Sequence, residues 1–329
     1  MRTLIALPVI AISALLLAQI PAISQLGLSA LPLAIVLGAI YGHFNLAEPS
    51  AREKLFTRFC QQRLLRTGII LFGISLSFQQ IVQVGWQAVV LDITVTSSIL
   101  ILGTWLGIRL FGLPRDLAVL ISAGSAICGA AAVLASEPVL KAKQQYVTIA
   151  VATVVLFGTL AMFIYPLVFH ISGMTEHNFG IYIGSTIHEV AQAVAAGDSV
   201  GGEALQSAVV VKLIRVMLLA PFILILSTLV FRDEANPGQS KAKITVPWFV
   251  LGFIAAACIN SWAALPVQVI HSLQLLSQLT LAMAMAALGS QTQWRVIKQA
   301  GFKPMLLAAC LFVLLICGGF YLNSWLIPQ

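Results

Sequence analysis

The sequence predicts an all-α fold, a polytopic membrane helical bundle of about 9–11 transmembrane helices with two interrupted helices. Three observations carry that expectation. Of 329 residues, 60% are hydrophobic and only 9% charged, and the mean hydropathy is +0.99. A soluble domain carries about 25% charged residues, so this chain cannot solvate the outside of a water-soluble fold. Second, apolar runs at 3–20, 26–44, 146–169 and 304–327 come near the roughly 20 residues that cross a hydrocarbon core. Third, 18 Lys+Arg outnumber 11 Asp+Glu, a formal net charge of +7, and the basic residues lie mostly in short connections between those runs, as the positive-inside rule describes. No aromatic-interleaved basic patch points to nucleic acid.

The first run follows Arg2 and ends at Pro21-Ala22-Ile23-Ser24, the outline of a signal peptide. It is long for an h-region and a second span follows at once, so a retained first helix is expected. Residues 45–64 form the most charged connection, with Arg52, Lys54, Arg58 and Arg63, expected at the cytoplasmic surface as a short amphipathic helix. Spans at 65–84 and 86–111 follow, joined by an uncharged turn, and Arg109 and Arg115 return the chain to the positive side.

Residues 117–135 differ in kind. They are rich in Gly, Ala and Ser, with Gly124, Ser125 and Gly129 close together. An interior glycine costs about 1 kcal/mol relative to alanine and serine competes for backbone partners, so a broken helix is one reading. Close helix–helix packing through small residues is the other, and composition does not separate them. An uninterrupted span at 146–169 is followed by 181–197, which holds His188 and Glu189 side by side, and by 205–231, which carries Lys212 and Arg215. A polar connection at 232–243 contains Pro237-Gly238, and the last spans are 245–265, 273–289 and 304–327, with Arg295, Lys298 and Lys303 between the final two.

Gly124-Ser125-Ala126-Ile127 and Gly184-Ser185-Thr186-Ile187 share the pattern G-S-x-I. Paired interrupted segments in two halves of a transporter point to its binding site. Charge alternation from a cytoplasmic N-terminus puts the C-terminus outside. If the connection with Lys141 and Lys143 is cytoplasmic, 117–135 and 181–197 re-enter from opposite faces; if both cross, that connection is periplasmic, against the usual bias. The residues leave both schemes open.

An ionisable residue within the membrane costs roughly 2.5–3.5 kcal/mol and marks function by default. The candidates are Asp92, His188, Glu189, Lys212 and Arg215. Asp92 lies six residues after Trp86, close enough to reach the interface or take a neighbour's hydrogen bond, and is marginal. His188 and Glu189 suit proton coupling, since histidine titrates near neutrality and a carboxylate in a low dielectric holds its proton more tightly. His188-Glu189-Val190-Ala191-Gln192 approaches the HExxH zinc motif, but Gln192 replaces a required ligand, so no metal is assigned. Lys212 and Arg215 are spaced i, i+3 and share a helix face. They need an acidic partner, a water cavity or an anion, with snorkelling to the interface as the structural alternative.

If the chain unwinds near Gly124-Ser125 and Gly184-Ser185, the following helices offer free N–H groups and positive dipole ends, ready-made anion sites. Ser125, Ser185 and Thr186 would add hydroxyl donors. Cys60, Cys128, Cys258, Cys310 and Cys317 are odd in number and form no CxxC pair, which argues against a disulfide framework.

The same segments resemble the YeiH family of bacterial inner-membrane proteins. The matching stretches are 123–135 with its ICGAAA string, 179–197 with HEVAQ, 211–221 and 281–289. The resemblance covers nearly the whole chain. The family carries a sulfate-exporter label and is commonly grouped with cation/proton antiporters and bile-acid symporters. That implies inverted repeats with broken helices crossing near the midplane, and it favours full crossing of both segments.

The reading is a single integral membrane transporter domain over 1–329, exporting a small anion such as sulfate, sulfite, a sulfonate or an organic acid. Gly124, Ser125, Cys128, Gly184, Ser185, Thr186, Lys212 and Arg215 are assigned to the substrate, and His188 and Glu189 to coupling. Expected partners are the anionic solute, the bilayer and a proton or sodium ion, with a homodimer allowed and no nucleic acid. No cofactor is assigned. A passive anion channel is the main alternative; a membrane-embedded enzyme or receptor is disfavoured because no complete metal or nucleophile constellation occurs.

Overall fold

The structure, a computed structural model, describes residues 2–20, 29–44, 50–233, 248–262, 266–291 and 301–327. Among them every regular element is helical. The first helices are α1 (Arg2–Leu17), α2 (Ala30–Phe44) and α3 (Ala51–Phe59), which runs through a π turn at Cys60–Leu64 into α4 (Leu65–Phe72). A short α5 (Phe78–Gln83) precedes α6 (Gly85–Trp105), which ends in a second π turn, Leu106–Leu110. Next come α7 (Arg115–Ala126), α8 (Ala130–Leu140), α9 (Gln144–Ser172), α10 (Glu176–Thr186), α11 (Val190–Val200), α12 (Gly202–Met217) and α13 (Leu219–Asp233). The series closes with α14 (Trp248–Trp262), α15 (Val267–Ser290) and α16 (Phe302–Val313), whose π turn Leu314–Gly318 leads into α17 (Gly319–Leu326).

Among the described residues, five helices are long and apolar enough to cross a membrane: Gly85–Leu110, Gln144–Ser172, Gly202–Leu229, Val267–Ser290 and Phe302–Leu326. Both segments singled out for interruption are interrupted. Their halves have 12 and 11 residues in α7 and α8, and 11 each in α10 and α11. At 1.5 Å per residue no half reaches across about 30 Å of hydrocarbon. The expected span at 65–84 is not one helix. Leu76 takes extended dihedrals (φ −115°, ψ 146°) and separates α4 from α5. The polar connection at 232–243, and Arg295 and Lys298, lie largely or wholly outside the described residues.

Contacts divide the chain into two compact units. One comprises Met1–Gln83, Val194–Gln206 and Trp248–Gln293; the other comprises Val84–Ala193, Ser207–Pro247 and Trp294–Gln329. In the first unit α15 packs along α1, α2 and α4. The α2–α15 seam is made of small residues. A Cβ on Gly38 would collide with the Ala286 carbonyl oxygen and lie 3.0 Å from its Cα, and one on Gly42 would collide with the Ser290 carbonyl oxygen and lie 2.9 Å from its Cα. Backbones approach this closely only where side chains are missing, which is how small residues drive helix association in lipid.

The charged connection does start a short helix, and its cap ties two elements together. Ser50 accepts the Glu53 N–H at 3.3 Å while Glu53 Oε2 accepts the Ser50 N–H at 2.9 Å, a reciprocal capping box. Glu53 Oε1 accepts the Thr3 N–H at 3.1 Å, an orphan donor of the first turn of α1. The backbone donors of Ser50 and Thr3 hold the Glu53 carboxyl well below the usual carboxylate range. A group depressed in the folded state stabilises above its unfolded value and loses that contribution as pH falls. Glu53→Gln therefore lowers the unfolding midpoint at neutral pH, and the gap from wild type closes on acidification; a pH-independent gap in thermal melts would refute this.

Candidate functional site

The site grows from two helix breaks in the second unit. α7 ends at Ala126; Ile127 leaves helical dihedrals (φ −116°, ψ −82°) and Gly129 takes φ +68°. That left-handed value costs glycine nothing because it has no Cβ. α10 ends at Thr186, Ile187 is extended (φ −69°, ψ 146°), and α11 begins at Val190. The breaks fall at 127–129 and 187–189, so the expected unwinding at Gly124-Ser125 and Gly184-Ser185 is displaced by a few residues. Both pairs remain helical. Their glycines serve packing: a Cβ on Gly124 would sit 2.6 Å from Val154 Cγ2, and one on Gly184 would sit 2.7 Å from the Ala208 carbonyl oxygen on α12.

A broken helix leaves its last carbonyls without partners, and buried carbonyls must find donors. Two cations on α12 supply them. Arg215 Nη2 donates to Ser125 O at 2.7 Å and Nε to Ala126 O at 2.6 Å, while Nη1 reaches Ser185 O and, at 3.5 Å, Ile187 O. Lys212 Nζ donates to Ile127 O at 3.0 Å and also to Ile187 O. One ammonium thus bonds the backbone of both breaks. The rigid guanidinium fork suits several carbonyls at fixed angles, and two helix C-termini carry the partial negative charge that cations complement. Both side chains are 0% exposed, so the snorkelling alternative does not apply.

The opposite helix ends are also served. Glu189 Oε1, from the second break, accepts the Ala130 N–H at the start of α8 at 3.1 Å. Gln192 Oε1 accepts the Glu189 N–H at 3.1 Å, and its Nε2 donates to Val155 O at 3.4 Å. Glutamine three residues into a helix reaching back to the residue before it is half of a capping box. That spacing, read as a damaged zinc motif, was the signal that could have revealed Gln192. Among the described residues no group of three or more His, Cys, Asp or Glu stands ready to hold a metal.

The hydroxyls expected to face an anion are turned elsewhere. Ser185 Oγ donates to Tyr182 O at 3.1 Å and Thr186 Oγ1 donates to the same carbonyl, the back-bonding that helical Ser and Thr commonly adopt. Cys128 and Ser125 are buried at the first break. On α9 and α10, Tyr165 and Tyr182 stack with ring centroids 4.8 Å apart, and Tyr182 Oη donates to Ile316 O at 2.8 Å, a carbonyl in the π turn before α17. Such turns free carbonyls from the helix ladder and recur at functional sites.

Among the described residues, Asp92, Thr159, His188 and Asn323 each leave a buried polar side-chain atom without a hydrogen-bond partner, and two of these groups are titratable. His188, 1% exposed, leaves Nδ1 unpaired, its ring 6.3 Å from that of Phe312. Asp92, 0% exposed, leaves both carboxylate oxygens unpaired. Neither the interface nor a neighbour's hydrogen bond accounts for Asp92, and sequence had ranked it last. Thr96, one turn further along α6 on the same face, donates to Ala126 O at 3.2 Å. That is the carbonyl Arg215 also holds, so α6 touches the first break beside Asp92.

A family model described as Conserved hypothetical protein 698 matches residues 2–308. The chain is 48% identical over 308 residues to the UPF0324 inner membrane protein YeiH of Salmonella typhi, covering 92% of this chain and 88% of that one. It is 48% identical over 310 residues to the YeiH protein of Escherichia coli K12, covering 93% and 88%. A UPF0324 membrane protein of Pseudomonas aeruginosa is 46% identical over 318 residues, covering 94% and 90%. No solved structure matches the chain.

Proposed function

The chain belongs to the YeiH family of bacterial inner-membrane proteins, and from that premise we propose that it is a multi-pass secondary transporter for a small anion. The observation that carries the reading is Lys212, whose ammonium bonds the backbone of both broken helices. A bundle with only a structural task gains nothing by breaking two helices and burying two cations to mend them. Half-helix ends inside a membrane protein are where transporters bind their substrates. The anionic class follows from what already sits there. Arg215 gives the breaks a fixed positive charge and Lys212 adds a second basic group, and the start of α8 already holds one carboxyl group, that of Glu189, as helix N-termini do.

Sulfate, sulfite, a sulfonate and an organic acid all fit that chemistry, and export is the direction that the resemblance noted in the sequence implies. Glu189 and His188 are the coupling residues of this reading, with a proton or sodium ion as the coupled species. The inverted-repeat relation between the two interrupted segments, and a homodimer, belong to the same proposal. Arg215 and Lys212 act on the substrate through the half-helix ends they hold together, since their donors already reach carbonyls.

The test is transport in reconstituted vesicles, after a thermal-shift screen of the purified protein against sulfate, sulfite, sulfonates and dicarboxylates. An anion at 100 times its Kd stabilises by about 2.7 kcal/mol. The hit compound, loaded inside, should accelerate uptake of its labelled form from outside, which a passive channel does not do. Glu189→Gln keeps an acceptor for Ala130 but loses the charge, and transport should fall at least tenfold. Unimpaired transport by Glu189→Gln and Lys212→Met together would overturn the assignment.

A further inference from the structure

Asp92 is the group in the second unit that the site as described leaves without a task. It lies on α6, fully buried, with neither oxygen hydrogen-bonded. An ionised carboxylate taken out of water with no donor costs several kcal/mol, and carrying a proton removes most of that cost. A carboxylate kept for structure would have been given donors, as Glu53 and Glu189 were.

Its position decides what a proton there would do. Arg215 and Lys212 are the charges that act on it, and Thr96, on the same face of α6, contacts the carbonyl that Arg215 holds. The elements packed on α6 include α7, α10, α16, α17 and the π turn before it. Their titratable side chains are Tyr182 in the last half of α10, with Glu176 and His177 at its start, Arg115 and Asp116 at the far end of α7, Lys303 near the start of α16 and Cys310 further along it, Cys317 in the π turn and Tyr321 on the exposed face of α17. None of these supplies a second carboxylate near the breaks. The charged set is therefore Lys212 and Arg215 against Glu189 and Asp92. With both acids ionised the set is neutral and has no excess charge to offer an anion. With a proton on Asp92 it is positive by one.

We propose that Asp92 is a proton-binding site whose occupation gives the joined helix breaks the net positive charge that admits the anion, so that one proton moves with each monovalent anion. The proposal rests on the transporter reading, fixes its coupled ion as a proton and places that proton on Asp92 rather than on Glu189 or His188. Sodium would need several oxygen ligands, and Ser125 O, Ala126 O, Ile127 O, Ser185 O and Ile187 O are already occupied by Arg215 and Lys212. It also fixes the sense of coupling. Proton and anion help each other bind, and binding linkage is reciprocal, so they travel in the same direction, a proton-for-anion exchange is ruled out, and export runs down the anion's own gradient.

Two measurements on the purified full-length protein test this. Infrared difference spectra across a pH titration read the C=O stretch of a protonated carboxylic acid. A band that disappears on deprotonation is expected in wild type and in Glu189→Gln, and is expected to be missing in Asp92→Asn. Anion affinity is then measured as a function of pH by thermal shift, with sulfite and a sulfonate as probes. Above the pH at which the band is lost, the wild-type Kd should rise about tenfold per pH unit, as one linked proton requires. In Asp92→Asn, a neutral mimic of the protonated acid, the Kd should be flat in pH and close to the acid limit of wild type. If Asp92→Asn does not fold, the wild-type band and the slope of its Kd still decide. Absence of the band, or a pH dependence that survives in Asp92→Asn, overturns the proposal. A titrating Asp92 band in a protein that binds no anion overturns the coupling and fails the transporter reading separately.

Discussion

Arg215→Ala should be the most damaging single substitution in the second unit, costing about 3–5 kcal/mol, the range for removing one partner from a buried charged cluster. The losses can be followed bond by bond. Ser125 O loses its guanidinium donor, and so does Ser185 O. Ala126 O keeps Thr96 and Ile187 O keeps Lys212. Two buried carbonyls without donors cost about 1–3 kcal/mol each. The vacated space adds to this, because Arg215 is the largest fully buried side chain among the described residues, and cavities cost in proportion to their volume. Arg215→Met fills most of that space without donating, so it isolates the hydrogen bonds. Arg215→Lys keeps a charge but not the fork and should recover less than half of the loss. Denaturant melts in detergent measure all three. An Arg215→Ala protein within about 1 kcal/mol of wild type would show that the carbonyls find other donors.

Gly129→Val should follow closely, at about 2–4 kcal/mol. Holding a non-glycine residue in this sparsely populated positive-φ region costs about 1–3 kcal/mol, and Gly129 sits at φ +68°, ψ −134°. The second part of the cost is specific to this site. A Cβ on residue 129 would stand 2.8 Å from Glu189 Oε1, displacing the carboxylate that caps α8, and a lost cap costs about 1 kcal/mol. The two parts separate in a double-mutant cycle. Gly129→Ala combined with Glu189→Ala should be less harmful than the sum of the two singles, because the clash is absent once the carboxylate is gone. Strict additivity would mean that backbone strain alone carries the effect.

Much of this protein was legible before its structure. The scarcity of charge and the length of the apolar runs required a helical membrane bundle, because only helices or closed barrels satisfy every backbone group in lipid. The G-S-x-I pairs located both interruptions to within a few residues, and charge within apolar segments picked out Lys212, Arg215, His188 and Glu189. These signals are local. Each depends on what a residue does to its own stretch of chain.

What depended on partners distant in sequence could not be read this way. The cations looked like ligands for a free anion; the fold spends their donors on carbonyls 25 to 90 positions away. Ser185 and Thr186 looked like substrate donors, but a helical hydroxyl finds its own preceding turn first. Gln192 looked like a missing ligand and is a cap. Asp92 looked marginal because its neighbours in sequence are ordinary, and only the packing of α6 showed that no donor reaches it. Sequence alone determined that this chain is a membrane helical bundle, and it marked two segments as candidates for interruption with ionisable residues in or near them. The tertiary structure alone decided which charges are already satisfied and which one is not, because a buried polar group is defined by the partners that folding brings to it.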